Sequence, residues 1–474
     1  MPHTLKPDLC VIGAGSGGLS VAAGAAQMGA RVVLVERGRM GGDCLNTGCV
    51  PSKSLIAAAN AAHAVRTGGR FGVNGHEPSI DFPKVRDHVR DVIAGIAPHD
   101  SVERFEDLGV TVLRASARFT GPNEIEAGTA RVRARRFVVA TGSSPFIPPV
   151  PGLDETSFLT NETIFDLDAS PDHLIVIGGG PIGVEMAQAH RRLGAAVTLL
   201  VQGRILPRDD PDAVAVIRRR LLAEGVAIRE GIEVVRASRR GNRVSVTIGD
   251  DQGSTEVAGS HILVAAGRRA SIEGLGLEAA GIDHSPKGVI VDARLRTSNQ
   301  RVFAVGDVAG GYQFTHMATH QAGIVIRNAL FRWPAKANAK AVPWVTYADP
   351  ELAHVGLTEA QARSRGLQIA TPVIPFAEID RARTERETDG FAKIVIGRRG
   401  KVLGATIVGR GAGELILPWV LAIDQGLGIG AVAGAIAPYP TMSEVSKRAA
   451  GAFFTPRLFG PATRRIVKLL GRLG

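Results

Sequence analysis

One glycine pattern occurs twice in this chain, and its repetition limits the fold more than any other feature. The segment DLCVIGAGSGGLSVAAGAAQMGARVVLVER (8–37) reads as strand, glycine turn, helix and strand. Gly13, Gly15 and Gly18 spell G-x-G-x-x-G after an apolar run, and Glu36 closes the next apolar run eighteen residues beyond Gly18. Glycines so spaced permit a tight turn and close approach of a pyrophosphate, the helix N-terminus attracts the phosphate charge, and the acid accepts from a ribose hydroxyl. The pattern returns in HLIVIGGGPIGVEMAQAHRRLGAAVTLLVQGR (173–204) with Gly178, Gly180 and Gly183. Two such units predict an α/β chain with two Rossmann-like nucleotide folds on parallel sheets. Two nucleotides in one chain imply electron passage between them, one expected to be a flavin and the other a nicotinamide.

The two fingerprints differ where the ribose is read. Eighteen residues beyond Gly183 stands Val201, followed by Gln202, so the acid of the first site has no counterpart. Arg204 and Arg208 lie just beyond and suit a 2′-phosphate, which leans the nicotinamide toward NADPH; two solvated loop arginines are the alternative. Three further segments, FVVATGSSP, ILVAAGRRA and RVFAVGDVAGG, read as β-branched strands ending in glycine, the first two as return crossovers beneath a nucleotide. In the third, Asp307 is placed to bind a sugar-like hydroxyl chain or to cap the following helix.

At 474 residues the chain is too long for one ordinary core, and 58 glycines with few aromatics suit α/β units. Three cysteines cannot build the disulfide framework of a secreted protein, and no signal-like apolar segment opens the chain, so a cytoplasmic protein is expected. No stretch is apolar enough to span a bilayer. The net charge of +11 fits an anionic partner or simply a basic surface. Nucleic acid is not among the expected partners.

Two of the three cysteines stand five positions apart in GGDCLNTGCVPSKS (41–54). A zinc site would lack further ligands, so no resident metal is expected. In a regular helix five residues rise about 7.5 Å, beyond the roughly 7 Å Cα limit for a disulfide. The chain must therefore be irregular here, as Gly48 and Pro51 allow, with a regular helix from Val50 or Pro51 onward. Cys49 then sits at a helix N-terminus, where the dipole favours a thiolate, and Lys53 adds positive charge one turn on. A reversible dithiol couple beside a flavin-type fingerprint is the leading expectation.

GGDCLNTGCVPSK resembles the active-site segment of the class I pyridine nucleotide-disulfide oxidoreductases, the family of dihydrolipoamide dehydrogenase, glutathione reductase and mercuric reductase. The resemblance runs through GAGSGG, ATGSS, GGGPIGVE, AAGRR, AVGDV and VPWVTYADPELAHVGLTEAQA, nearly the whole chain. It implies an FAD domain at 1–150 and 271–340, an NAD(P) domain at 151–270, an α+β dimerisation domain at 341–455 and a tail at 456–474. It implies FAD at Gly13, Gly15, Gly18, Glu36, Lys53, Ala117, Thr141, Gly142, Ser143, Asp307 and Thr315. It implies NAD(P)H at Gly178, Gly180, Gly183 and Gly267, with Val201, Arg204 and Arg208 at the ribose end and Glu185 beside Lys53 at the junction of the two cofactors. Cys44 would be the interchange thiol and Cys49 the thiolate against the flavin, in a homodimer whose partner subunit completes each site.

The chain departs from the family at APYPTMSEV. Most members carry His-Pro-Thr there with Glu five residues after the His, a dyad that handles the interchange proton. Pro440, Thr441 and Glu444 align, but the His position is Tyr439. An unperturbed Tyr has a pKa of about 10 and is a poor base near pH 7; general acid-base catalysis contributes roughly 10² to 10⁴-fold. Mercuric reductases share a Tyr near this position, yet they also carry a C-terminal cysteine pair, and here no cysteine follows Cys49. Efficient mercury reduction is therefore not expected; the expected acceptor is another metal ion, a quinone or a small disulfide, with true dihydrolipoamide dehydrogenase activity as an alternative.

Beyond Glu444 there is no acid, while seven Lys and Arg follow. In PATRRIVKLLGRLG, Ile466, Leu469, Leu470 and Leu473 share one helical face and Arg465, Lys468 and Arg472 another. This basic amphipathic helix suits an anionic membrane, a partner membrane protein to which the chain would deliver electrons, or packing on its own dimer.

Overall fold

The computed structural model describes residues 4–250 and 253–472, which form two compact units: 4–202 with 227–250 and 253–338, and 203–226 with 339–472. The first unit is built on a five-stranded parallel sheet in the order Val302–Ala304, Arg136–Val139, Leu9–Ile12, Val32–Glu36, Val110–Arg114. Its strands are apolar on both faces because both are covered. Leu9, Val11, Val32 and Leu34 pack with the helices Ser16–Gln27 and Thr315–Ala329. The alternate residues Cys10, Ile12, Val33 and Val35 pack under the small sheet that contains Phe119 and Ile125.

The second fingerprint lies on a four-stranded sheet in the order Val226–Glu230, Ala196–Val201, His173–Ile177, His261–Val264, with His173–Ile177 parallel to both neighbours. A three-stranded antiparallel sheet, Glu233–Arg240, Arg243–Asp250 and Gly253–Gly259, covers it through Val244, Val246 and Ile248, which join Ile175 and Ile177 in one core. Both expected nucleotide folds are therefore present, and the segments read as return crossovers are the strands parallel to each fingerprint strand.

The second unit is a five-stranded antiparallel sheet in the order Pro343–Thr346, Glu351–Gly356, Val402–Gly409, Phe391–Ile396, Val373–Pro375. The helices Leu417–Asp424 and Glu444–Ala452 bury Trp419, Ile423, Val445 and Ala449 against Ile394, Ala405 and Ile407. The helix Pro211–Ala223 belongs to this unit and is tied in by Lys393, whose ammonium lies 2.9 Å from Asp210 and 2.6 Å from Asp212. Lys393 and Asp210 are almost fully buried, so loss of Lys393 would strand the Asp210 charge. Among the described residues no helix is long and apolar enough to cross a membrane.

Candidate active site

The first glycine loop is fixed by contact. Gly13 has φ +104°, and a Cβ there would stand 2.4 Å from the Ala140 carbonyl oxygen; one on Gly18 would stand 1.9 Å from the Gly13 oxygen. Gly15 meets nothing closer than 3.9 Å, leaving that side of the loop open at the start of the helix Ser16–Gln27. Glu36 ends its strand and accepts from the backbone of Ala14 at 2.6 Å and of Gly38 at 2.7 Å. A carboxylate beside an open glycine turn at a helix N-terminus is the donor and acceptor set that a dinucleotide requires. The second loop repeats the arrangement: Cβ atoms on Gly178 and Gly183 would collide at 2.2 and 2.0 Å, while Gly180 faces open space.

Where the second ribose acid would stand, Val201 is buried at the strand end. Arg204 and Arg208 lie in the second unit, and Arg204 donates to the Pro207 oxygen at 3.2 Å. Gly267 has φ +129° and an open Cβ direction. Ala117 is buried at the head of the strand Ala117–Gly121.

The cysteine segment is broken as its spacing demands. A short helix, Gly42–Asn46, carries Cys44 and stops at Thr47; Gly48, at φ −124° and ψ −114°, interrupts it; the helix Cys49–Thr67 then begins on Cys49, one residue earlier than expected. Cys44 and Cys49 are free thiols whose mutual interaction drives the two apart in acidity. The bond from Cys44 lowers Cys49 to about 6, and the Thr315 hydroxyl, 3.6 Å from its sulfur, and the Lys53 charge act in the same direction. Cys44 is correspondingly pushed far up, first by its bond to Cys49 and then by burial. Cys10 is buried in the first strand and raised well above the thiol range by desolvation. One thiolate and one thiol therefore share the site near neutral pH.

Lys53, one turn along from Cys49, donates to Glu185 Oε2 at 2.8 Å, so the predicted pair meets across 132 positions of sequence. Glu185 is almost fully buried and Lys53 about one third exposed. Asp307 accepts from the Ser143 hydroxyl and does not cap the helix Thr315–Ala329, and burial raises its carboxyl above the usual range. Thr141 donates to the Ser271 oxygen at 2.7 Å, and Gly142 has φ +69° in the turn that brings Ser143 to Asp307. Thr315 opens the helix Thr315–Ala329.

Residue types alone did not disclose three members of this cluster. Arg268, the first arginine of AAGRR, donates to Ser143 Oγ at 2.7 Å and to the Ser143 carbonyl at 2.9 Å, and stands 3.2 Å from Asp43 and 3.8 Å from Asp307. Asn161 donates to Asp43 Oδ1 at 2.9 Å and to the Thr47 carbonyl at 3.1 Å. The only sequence signals were an arginine directly after the crossover glycine and an acid directly before Cys44.

Tyr439 and Glu444 belong to the second unit. Tyr439 is 70% exposed, and its hydroxyl donates to Asp380 Oδ2 at 3.2 Å, which holds the phenol above its ordinary value. Glu444 starts the helix Glu444–Ala452, with Oε2 buried and unbonded among the described residues. The two do not form a hydrogen-bonded pair. The tail helix is Pro461–Leu470; none of its residues is buried, and Ile466, Val467, Leu469 and Leu470 are exposed. Leu473 lies outside the described residues.

Residues 7–322 match the pyridine nucleotide-disulphide oxidoreductase family, and residues 342–450 match its dimerisation domain. A mercuric reductase of Streptomyces lividans is 37% identical over 454 residues, covering 94% of this chain and 96% of its own. A dihydrolipoyl dehydrogenase of Thermus scotoductus is 37% identical over 467 residues, covering 94% and 97%. Among solved structures, the HOCl-induced flavoprotein disulfide reductase RclA of Escherichia coli in its Cu(II) complex superposes with a TM-score of 0.84 at 29% identity, covering 93% of this chain and 98% of that one. The dimerisation domain supports a homodimer. The chain belongs to the pyridine nucleotide-disulphide oxidoreductase family, FAD-dependent enzymes that pass electrons from NAD(P)H through the flavin and a thiol pair to an acceptor.

Proposed function

We propose that the acceptor is a thiophilic metal ion of the Cu(II) class, reduced at Cys44 and Cys49. The observation that carries this reading is Tyr439, a phenol bonded to Asp380 where a dithiol substrate would need a base. A metal ion makes no such demand, because it binds thiolate directly and takes electrons without a proton. Some relatives point the same way, mercuric reductases and a related flavoprotein whose structure is a Cu(II) complex, while dihydrolipoyl dehydrogenases are equally similar.

Bound FAD supplies two-electron transfer between nicotinamide and the thiol pair. The chain's own residues divide the remaining work. Gly13, Gly15, Gly18 and Glu36 receive the FAD pyrophosphate and ribose, while Ala117, Thr141 to Ser143, Asp307 and Thr315 hold the rest; Gly178, Gly180, Gly183 and Gly267 receive NAD(P)H. The Lys53–Glu185 pair stands at the junction. Cys49 holds the negative charge and Cys44 the proton and the contact with the acceptor. With Cu(II), NAD(P)H and two Cu(II) give NAD(P)⁺, two Cu(I) and one proton; in the oxidising half, the Cys44 thiol and Cys49 thiolate join as a disulfide and release that proton. Anaerobic Cu(II) reduction by holoenzyme with NADPH, read with a Cu(I) chelator, tests the site. Cys44→Ser and Cys49→Ser are each expected to abolish it, and retention in either variant would overturn the assignment.

The tail supports a second statement, about place. We propose that Pro461–Leu470 lies on an anionic bilayer, with Ile466, Val467, Leu469 and Leu470 toward the acyl region and Arg464, Arg465 and Lys468 near headgroups. A second copy is the less suitable occupant, because it carries the same basic tail and a net charge of +11. Holoenzyme is expected to sediment with vesicles containing anionic lipid, less so at high salt and not with neutral vesicles. Equal sedimentation by a chain ending at Phe459 would contradict this placement.

A further inference from the structure

The stretch from Gly203 to Asp210 sorts its side chains by charge. Arg204 and Arg208 are exposed, whereas Ile205, Leu206, Asp209 and Asp210 are buried. The turn that achieves this is compact: Leu206 has φ +45°, Asp209 donates its backbone N–H to the Leu206 carbonyl at 3.1 Å, and Arg204 donates to the Pro207 oxygen at 3.2 Å. Two arginines and two aspartates so close in sequence would ordinarily neutralise one another. Here both acids are taken up by side chains from the five-stranded sheet of the same unit. Asp209 Oδ1 accepts from Trp344 Nε1 at 2.7 Å. Asp210 accepts from the buried Lys393 at 2.9 and 3.1 Å. The Trp344 ring lies against buried His354, with centroids 4.4 Å apart, and His354 is in turn bonded to Thr406 Oγ1 at 2.8 Å. The indole that holds Asp209 is therefore itself fixed by the two strands beside it.

We propose that Trp344 is a positioning residue for nucleotide choice: it holds Asp209 in the interior, so that the exposed side of this turn presents Arg204 and Arg208 to a 2′-phosphate without an opposing acid. This rests on the reading of the two arginines as 2′-phosphate contacts. A phosphate monoester carries about −1.5 to −2 charge near neutral pH. A carboxylate released next to Arg208 would take up that guanidinium and repel the phosphate at once. NADH lacks the 2′-phosphate and is indifferent to both effects. Lys393 does for Asp210 what Trp344 does for Asp209, but with a full charge, so Asp209 is the acid whose restraint depends on a neutral N–H.

The test is stopped-flow reduction of the flavin in holoenzyme by NADPH and by NADH, each over a range of nucleotide concentration. Trp344→Phe keeps an aromatic ring beside His354 and removes the N–H. It is expected to raise the apparent dissociation constant of NADPH about fivefold, the upper end for exposed charge pairs, with the limiting rate and the NADH constants unchanged. In the Asp209→Asn background the same change is expected to have little effect, because the group released is neutral. An unchanged NADPH constant, an equal loss for both nucleotides, or an equal loss in both backgrounds would overturn the inference. Asp209→Asn alone is expected to bind NADPH as the wild type does, since the acid is already withdrawn; tighter binding would show that Asp209 opposes the phosphate despite its bond, and would overturn it too. Bound-flavin absorbance and circular dichroism check folding; if Trp344→Phe does not fold, the Asp209→Asn result decides. Arg204→Ala with Arg208→Ala separates the two failures. No loss of NADPH binding in that variant would defeat the phosphate reading itself, whereas a loss there with none in Trp344→Phe defeats only the role given to Trp344.

Discussion

Tyr439 donates its hydroxyl to Asp380, not to Glu444, although Glu444 keeps one buried carboxylate oxygen unbonded among the described residues. An imidazole at position 439, with that acid five residues on, is the base and orienting partner that a dithiol reaction uses. Tyr439→His is therefore expected to raise lipoamide-dependent turnover by about 10 to 100-fold, part of what general acid-base catalysis supplies, with an ionisation near pH 6.5 appearing in the rate profile. Steady-state kinetics from pH 5.5 to 8.5 check this. No gain would mean that proton handling at position 439 does not limit dithiol reduction by this enzyme.

The acidity of Cys49 gives a pH dependence of definite sign. Its thiolate is favoured because Cys44 donates to it and Thr315 and Lys53 assist, so the charged form prevails above about pH 6 and is lost as the pH falls through that value. The long-wavelength absorbance that a thiolate produces beside a flavin ring is expected to be full at pH 8 and to fade with a midpoint near 6 in the reduced enzyme. Cys49→Ser is expected to lack it at every pH; a midpoint near 9 would show that the bond from Cys44 has no effect.

Lys53 and Glu185 should be separable into stability and chemistry. Lys53→Met leaves the buried Glu185 carboxylate without its 2.8 Å partner. Removal of one member of a buried pair costs up to about 3 to 5 kcal/mol, and the partial exposure of Lys53 reduces this to about 1 to 3 kcal/mol. Denaturant unfolding of holoenzyme measures the loss. The double variant Lys53→Met with Glu185→Gln is expected to recover much of it while flavin reduction stays slow.

Nicotinamide choice depends on what stands in place of an acid at Val201. NADPH is expected to reduce the enzyme faster than NADH, and Arg204→Ala with Arg208→Ala to lower that preference about tenfold, equivalent to roughly 1.4 kcal/mol of charge-assisted bonding. Stopped-flow reduction with each nucleotide checks it. Faster reduction by NADH in the wild type would make both arginines bystanders.

Much of this site was legible because its determinants are local. A G-x-G-x-x-G turn between apolar runs carries its own geometry, and cysteines five positions apart are too distant in a regular helix, so the break at Gly48 followed from spacing. The Lys53–Glu185 contact was reachable only through family resemblance. The meeting of Arg268, Asn161 and Asp43 was not legible. Their meeting depends on the ladder between Arg268–Ala270 and Ser143–Pro145, which closes 125 positions of sequence, and no periodicity encodes such a contact. Tyr439 was legible as a departure, but its partner Asp380, 59 positions away, was not.

The central claim is that this thiol pair serves a metal ion better than a dithiol substrate. Anaerobic holoenzyme with saturating NADPH, assayed in parallel with Cu(II) and with lipoamide, compares the two directly as kcat/KM. Copper is predicted to exceed lipoamide by about 10²-fold or more, the size of a missing proton-transfer contribution. Equal values, or a preference for lipoamide, would contradict it.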